Sequence, residues 1–118
     1  MKFTKKTSVG AWLKKGEEIK DEDIITIASQ IKEIEGGQYG PQQVCLAKTK
    51  DGKEGNVGVN QTSINNLIDA YGEEDMDWVG KEVKVWLMKD FKDGKLQYKM
   101  YLSHPNAEMT EDGFVIPN

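Results

Sequence analysis

The chain has 118 residues, a length that fits one domain with a modest hydrophobic core. Hydrophobic residues make up 37% and charged residues 31%, so the composition is polar for a globular domain without being that of a disordered one. The formal net charge is -4 and all 16 basic residues are lysines, which argues against strong duplex-DNA binding and against bidentate arginine contacts to guanine or phosphate.

The cysteine content and the N-terminal composition bear on the compartment. Cys45 is the single cysteine and cannot form an internal disulfide, which favours a reducing environment. Residues 1–16 are rich in lysine but lack the continuous apolar run of a signal peptide, and no stretch of the sequence is long enough to span a membrane. These features predict a cytoplasmic protein.

Residues 1–23 are the first predicted segment, an extended N-terminal arm. The first half of the arm is basic and the second half acidic, and its apolar residues follow no helix or strand period. Trp12-Leu13 is the expected point at which the arm docks on the rest of the domain. A packed or solvated terminus is the alternative to a functional arm.

Residues 24–103 predict a mainly β domain. Residues 24–35 are rich in isoleucine, and a bulge within them would bring their apolar side chains to one buried face. A glycine-rich loop at residues 36–41 follows. Two Asp-Gly pairs, at residues 51–52 and 93–94, are each flanked by alternating apolar residues, a pattern typical of β-hairpins.

The first Asp-Gly pair also predicts the register of its hairpin. A two-residue loop at Asp51-Gly52 pairs Leu46 with Val57 on the inner face. The same register places Cys45 on the outer face, among small and polar residues.

The second Asp-Gly pair predicts an unusual outer face. A two-residue loop at Asp93-Gly94 pairs Leu87 with Met100 on the inner face and Trp86 with Tyr101 on the outer face. An aromatic pair on a face that should meet water needs a cover. The docking residues of the N-terminal arm and a second subunit are the candidates for that cover.

Residues 60–72 predict one amphipathic helix between the two hairpins. Asn60 or Thr62 can cap its start, and Gly72 stands where a left-handed C-terminal cap is wanted. Trp78, after an acidic loop, is expected to fill the core beside this helix. The apolar stripe of the helix consists of Ile64, Leu67, Ile68 and Tyr71.

The order β-β-β-α-β-β resembles the OB-fold, a five-stranded barrel whose helix lies between the third and fourth strands. The resemblance covers residues 24–103. The run from Asn60 through Trp78-Val79-Gly80-Lys81 into an alternating strand is similar to small OB-fold single-stranded DNA-binding proteins of phage and related genomes, some of them uncharacterised. The resemblance implies sequence-tolerant binding of single-stranded nucleic acid, DNA more than RNA, in replication or recombination.

The resemblance also implies where nucleic acid would bind, between the first-to-second and fourth-to-fifth loops of the barrel. Aromatic rings there stack on bases, and lysines contact phosphate without reading sequence. The expected aromatic residues are Tyr39 and Phe91 in the loops and Trp86 and Tyr101 on the outer face. The expected lysines are Lys48, Lys50 and Lys53 at the first hairpin tip and Lys89, Lys92 and Lys95 at the second.

Each of these residues also has a purely structural interpretation. Lysines at hairpin tips protect strand edges and keep a protein soluble. Phe91 can fold back onto the barrel, and a loop aromatic such as Tyr39 can pack against its own domain.

The sequence offers little for catalysis or metal binding. His104 is the single histidine, and neither His104 nor Cys45 has a plausible catalytic partner nearby in sequence. The acidic runs at residues 21–23 and 73–77 lack the spacing of a calcium loop, and one cysteine with one histidine cannot form a zinc site. We expect a non-enzymatic protein that uses no metal and no cofactor.

Residues 104–118 predict an acidic C-terminal tail that ends in apolar residues. Such a tail can bind a partner protein, whereas a frayed or packed terminus is the structural alternative. The competing hypothesis is therefore an OB-like protein–protein interaction module without nucleic-acid binding, whose interface is the Trp86/Tyr101 surface and the tail. A homo-oligomer is a further option, and no membrane partner is expected.

Overall fold

The computed structural model describes residues 11–34, 41–111 and 113–116. Within these ranges the chain is mainly β, with eight strands, one α-helix (α1, Gln61–Tyr71) and a short 3-10 helix (Asp75–Trp78). The strands are β1 (Ile24–Ile27), β2 (Lys32–Ile34), β3 (Gln42–Lys48), β4 (Glu54–Gly58), β5 (Glu82–Lys92), β6 (Lys95–Ser103), β7 (Glu108–Thr110) and β8 (Gly113–Val115). None of the described helices is both long and apolar enough to cross a membrane.

Six strands form one antiparallel sheet. Strand β3 pairs with β4 along one edge and with both β1 and β2 along the other, while β1 also pairs with β5, and β5 with β6. Strands β7 and β8 form a separate hairpin. The mainly β class is confirmed. The closed five-stranded barrel is not, because no ladder joins β4 to β6 in the described part of the chain.

The first predicted strand, residues 24–35, is divided in the structure into β1 and β2. Across the break, the Ala28 amide donates to the Leu46 carbonyl at 2.8 Å, and the Leu46 amide donates to Ser29 Oγ at 2.9 Å. A side-chain hydroxyl thus continues the hydrogen bonding where the backbone bends. Ile25 and Ile27 before the break are each 1% exposed, as a core-facing strand requires.

The hairpin of β3 and β4 differs from its predicted register by one residue. Val57 lies opposite Cys45, and Leu46 lies opposite Asn56. Because side chains alternate along a strand, a shift of one residue exchanges the two faces. Cys45 is therefore completely buried in the core, and its predicted place on the outer face is wrong.

The cause of this shift is a three-residue loop. The Thr49 amide donates to the Lys53 carbonyl at 2.8 Å, and the Gly52 amide closes the turn onto the Thr49 carbonyl at 3.1 Å. Gly52 has a φ of 90°, the left-handed conformation that such loops place after a turn. The Thr49 hydroxyl also donates to the Asp51 carboxylate, a hydrogen bond that lowers the pKa of this aspartate.

The hairpin of β5 and β6 has the predicted register. Trp86 lies opposite Tyr101, and Leu87 lies opposite Met100. The turn at Asp93-Gly94 has φ values of 53° and 76°, the two positive values that a two-residue type I′ turn requires. A strictly local turn geometry therefore determined this register.

The predicted helix and its N-terminal cap are confirmed. Gly72 is the C-terminal cap residue, as predicted, but its ψ of 174° is not that of left-handed helical backbone. The Asn60 side chain accepts a hydrogen bond from the Ser63 amide at 2.9 Å, and Gly72, at a φ of 98°, ends the helix. Leu67 of the predicted stripe is completely buried, and the other three members pack partly buried against the core. Trp78 fills the core beside the helix and donates from Nε1 to the Gly72 carbonyl at 2.8 Å.

Polar side chains of the helix and of its N-cap residue form hydrogen bonds with the outer edge of β6. Asn60 Nδ2 donates to the Met100 carbonyl at 2.9 Å. The Leu102 amide donates to Ser63 Oγ at 2.9 Å, and Asn66 Nδ2 donates to the Leu102 carbonyl at 3.0 Å. These side chains occupy the place of a neighbouring strand, which explains physically why β4 does not close the sheet here.

The N-terminal arm docks on the free edge of β4. The Asn56 amide donates to the Ala11 carbonyl at 2.9 Å, and the Leu13 amide donates to the Asn56 carbonyl at 3.1 Å. Leu13 enters the core at 6% exposure, so the predicted docking at Trp12-Leu13 is confirmed. The close approach depends on Gly55, because a Cβ atom there would lie 2.9 Å from the Ala11 carbonyl oxygen.

Beyond this point the arm reaches β5. Ile19 is completely buried in the core. The Glu22 amide donates to the Val85 carbonyl at 2.7 Å, and the Val85 amide donates to the Asp23 carbonyl at 2.8 Å. The arm therefore links one edge of the sheet to its centre.

The hairpin of β7 and β8 lies against the outer face of β5 and β6. The ring of Phe114 lies 5.8 Å, centroid to centroid, from the rings of both Trp86 and Tyr101. Part of the predicted tail therefore folds and supplies an aromatic cover for the pair, a contact that sequence analysis had not identified.

Candidate functional site

A groove of about 630 Å³ follows the seam between β4 and β6. Its volume lies within the range of about 300–1,000 Å³ that is usual for ligand sites. Its walls come from the arm, from the start of β3, from the junction of β4 with α1, and from β6. The lining side chains that can stack on a base or carry positive charge are Trp12, Lys15, Tyr98, Lys99 and Tyr101.

Two strand edges face this groove. Alternate residues of an antiparallel strand direct both backbone groups to the same side. The amide and carbonyl of Asn56 bind the arm. Gly58 lies two residues further along β4, so its amide and carbonyl point to the same side, toward the seam. On β6, the Met100 carbonyl faces the start of the helix, where it accepts a hydrogen bond from Asn60. Tyr98 lies two residues before Met100, so its amide and carbonyl point to the same edge of β6. Both edges thus add backbone donors and acceptors to the groove.

The charge of the groove is opposite in sign to that of the whole chain. Two of its described lining residues are lysines and none is Asp or Glu, although the sequence contains 20 acidic residues. Local potential depends on where charges lie rather than on their sum. The groove is therefore a locally basic surface on an acidic protein.

Lys15 is the cation contributed by the arm. Its side chain reaches solvent, but surrounding atoms remove enough water from the ammonium to lower the pKa of Lys15. Within the described ranges Lys15 forms no ion pair, whereas Lys99 lies 3.6 Å from Asp90. A partly desolvated ammonium that has no carboxylate partner favours a bound anion.

The aromatic side chains of the groove differ in exposure. Trp12 is 43% exposed, while Tyr98 and Tyr101 are half-buried. Gly16, at a φ of 86°, lets the arm cross the Tyr98 ring, since a Cβ atom at this position would lie 3.3 Å from ring atoms. Trp12 thus offers the most accessible ring for stacking.

The lysines predicted at the first hairpin tip lie outside this groove. Lys48 is exposed at the end of β3, and Lys50 and Lys53 line a second cleft of about 300 Å³. Positive charge in that cleft is opposed by carboxylates on its own walls, and these are Glu17, Glu18, Asp23 and Asp51.

The second hairpin tip projects an apolar pair into solvent. Phe91 lies opposite Leu96, and these side chains are 74% and 47% exposed, so Phe91 does not fold back onto the domain. The predicted lysines Lys89, Lys92 and Lys95 are exposed on the same tip.

The remaining predicted aromatic residues have different surroundings. Trp86 donates from Nε1 to Ser103 Oγ at 2.8 Å, and the Lys84 ammonium lies 4.6 Å from the Trp86 ring centroid. Tyr101 is the predicted residue that the structure brings into the groove. Tyr39 lies outside the described residues.

Four of the five groove side chains are not among the binding residues predicted from the sequence. Trp12 and Lys15 are distant in sequence from Tyr98 and Lys99, and only the crossing of the arm brings the two pairs together. Each pair does combine an aromatic residue with a nearby lysine, which is the composition of a stacking platform. This repeated combination of an aromatic residue and a lysine was the signal in the sequence from which the groove residues could have been predicted.

No described side chains suggest metal or nucleophile chemistry. No group of three or more His, Cys, Asp or Glu residues in the described ranges could hold a metal ion. His104 packs at 5.7 Å against the Tyr71 ring, and its Nδ1 accepts a hydrogen bond from the Asn106 amide at 3.0 Å. Burial raises the pKa of Cys45 to about 12.

Cys45 is expected to resist thiol reagents in the folded protein. Because the thiolate is the reactive form, Ellman's reagent at pH 8 should modify the native protein at least about 100-fold more slowly than the protein in denaturant. The denatured sample serves as the control for reagent and stoichiometry. Equal rates in the two samples would show that Cys45 is accessible, against its burial.

Comparisons of the chain with protein-family models, with curated proteins and with solved structures find no match.

Proposed function

We propose that the groove binds single-stranded nucleic acid with little sequence preference. The observation that carries this proposal is the convergence of three aromatic side chains and two lysines in a groove with no acidic residue among its described lining. Sequence-tolerant binding requires rings that stack on bases and cations that follow the backbone. Lysine supplies a point charge for phosphate and reads no base, which suits this role.

A single strand fits these features better than a duplex. Stacking on Trp12 or Tyr98 requires a base whose face is free, and a duplex buries its base faces. The net charge of -4 opposes the broad phosphate contact that duplex binding requires. We propose DNA as the main ligand, with a role in replication or recombination, in keeping with the OB-fold resemblance.

We further propose that residues 24–103 are an OB-like barrel that is open at the β4–β6 seam. In support, β1 and β2 pair with the same edge of β3 and β1 also pairs with β5, so they act as one bent strand. The helix follows β4 and precedes β5, as in that fold. In this interpretation the opening of the seam forms the binding groove.

Binding of a fluorescently labelled dT oligonucleotide tests the proposal. Anisotropy should show micromolar binding at low salt that weakens as salt increases. Contacts of two lysines with phosphate predict a slope of log K against log salt of about -1.4, since each phosphate contact on a single strand contributes about -0.7. Absence of binding at micromolar protein and low salt would exclude the proposed function.

Charge variants locate the site. Lys15→Gln and Lys99→Gln should each reduce the salt slope by about 0.7. Lys81→Gln removes the same charge beside Tyr71, at the end of α1 opposite the groove, and should leave the slope unchanged. A larger loss for Lys50→Gln than for Lys15→Gln would assign binding to the first hairpin tip instead.

A stacking variant tests the aromatic contribution. Trp12→Ala should weaken binding by about 1–3 kcal/mol if one base stacks on this ring. Leu13 carries the core contact of the arm, so the urea midpoint should change little. Unchanged affinity would exclude Trp12 as a stacking platform.

A second candidate function is a protein–protein interaction module. The observation that favours it is the exposed Phe91–Leu96 pair at the tip of the β5–β6 hairpin. Phe91→Ala distinguishes nucleic-acid binding from protein binding at this tip. Reduced oligonucleotide affinity of the variant would show that the nucleic-acid site extends to the tip. A change in oligomeric mass by light scattering, with unchanged affinity, would favour a protein contact.

A further inference from the structure

Lys99 differs from the other groove lysine because a carboxylate of its own hairpin already holds it. The Lys99 ammonium lies 3.6 Å from Asp90 Oδ2, whereas Lys15 has no ion pair among the described residues. We infer that Asp90 is an internal counter-ion that occupies Lys99 in the free protein and competes with the phosphate of a bound strand. This inference rests on the proposed function of the groove.

The strand register explains why these two side chains meet. Lys99 lies opposite Met88, and Asp90 lies opposite Gln97, so Lys99 and Asp90 are diagonal neighbours on one face of the hairpin. Long side chains in diagonal positions of an antiparallel pair can reach each other. The contact is therefore set by the Asp93-Gly94 turn, which fixes the register.

The exposure of the pair makes it replaceable. The side chains of Lys99 and Asp90 are 61% and 43% exposed, and water weakens ion pairs at such positions. A phosphate that binds Lys99 must displace the Asp90 carboxylate from the ammonium. The displaced carboxylate stays nearby and repels the phosphate. Asp90 consequently lowers affinity for a polyanion while it keeps Lys99 ordered at the rim of the groove.

Asp90→Asn is expected to tighten binding of a labelled dT oligonucleotide about two- to fivefold at low salt. The gain should shrink as salt screens the carboxylate. Asp93→Asn is the matched control, since it removes the same charge from the same hairpin and asparagine tolerates the φ of 53° at this position. We expect the control to change affinity by less than about 1.5-fold.

A double-mutant cycle isolates the pair from the general field of the hairpin. In a Lys99→Gln background, Asp90→Asn should lose most of its effect. An equal gain in both backgrounds, or an equal gain from Asp93→Asn, would overturn the inference and leave the proposed function intact. If neither the parent protein nor Asp90→Asn binds the oligonucleotide, both the function and the counter-ion are excluded. Unchanged urea midpoints would show that all variants fold.

Discussion

Replacement of Gly55 by alanine is expected to lower the free energy of unfolding by about 1–3 kcal/mol, the usual penalty for overpacking. A Cβ atom at this position would lie 2.9 Å from the Ala11 carbonyl oxygen and 3.0 Å from Leu13 Cγ. The first of these atoms belongs to the backbone of the docked arm and cannot rotate away. The arm must therefore shift from β4, which disturbs its two hydrogen bonds to Asn56.

Urea unfolding followed by tryptophan fluorescence measures this effect. Gly58→Ala is the matched control, because Gly58 lies on the same strand and an added Cβ atom there meets no heavy atom within 4 Å. Alanine at this control position should be neutral or stabilise by up to about 1 kcal/mol, since glycine weakens a strand. Similar losses for the two variants would show that close packing of the arm does not explain the requirement for Gly55.

Ser63→Ala is expected to cost about 1–3 kcal/mol, the penalty for a buried hydrogen-bonding group that loses its partner. Ser63 is completely buried, and its Oγ accepts the Leu102 amide at 2.9 Å. Alanine removes the acceptor and leaves the amide without water. The better helix propensity of alanine offsets about 0.5 kcal/mol of this loss.

Thr62→Ala is the control for Ser63→Ala. Thr62 is the preceding residue on the same helix and is exposed, so its truncation should change stability by less than about 0.5 kcal/mol. Hydrogen exchange gives a second measurement, because the Leu102 amide should exchange faster in Ser63→Ala alone. Unchanged stability together with unchanged exchange would contradict the role of the hydroxyl.

The two Asp-Gly hairpins show what local sequence determines. At Asp93-Gly94 the branched aliphatic residues of each flanking strand share one parity, so turn and pattern agree. At Asp51-Gly52 apolar residues occupy both parities of β3, and the pattern cannot distinguish a two-residue from a three-residue loop. Hydrogen bonds of the Thr49 hydroxyl to Asp51 and Lys53 stabilise the longer loop. These bonds depend on the rotamer of Thr49, which the β-propensity of the sequence does not indicate.

The candidate site was less predictable than the secondary structure. Capping residues and an apolar stripe identify α1 from a dozen neighbouring residues, because helix formation is local. The groove instead depends on a contact between Ala11 and Asn56 and on the hydrogen bond between Ser63 and β6. No repeating pattern in the sequence indicates either contact. Tyr101 was therefore the only groove side chain among the predicted binding residues.

The pairing of the arm with β4 has a consequence for the order of folding. The β5–β6 hairpin closes across two residues, whereas Ala11 must find Asn56 across a long loop whose closure is slow. The groove is then among the last features to form and among the first to be lost by local opening. Since the unfolded chain has no such site, a ligand of the groove draws the folding equilibrium toward the fully docked arm.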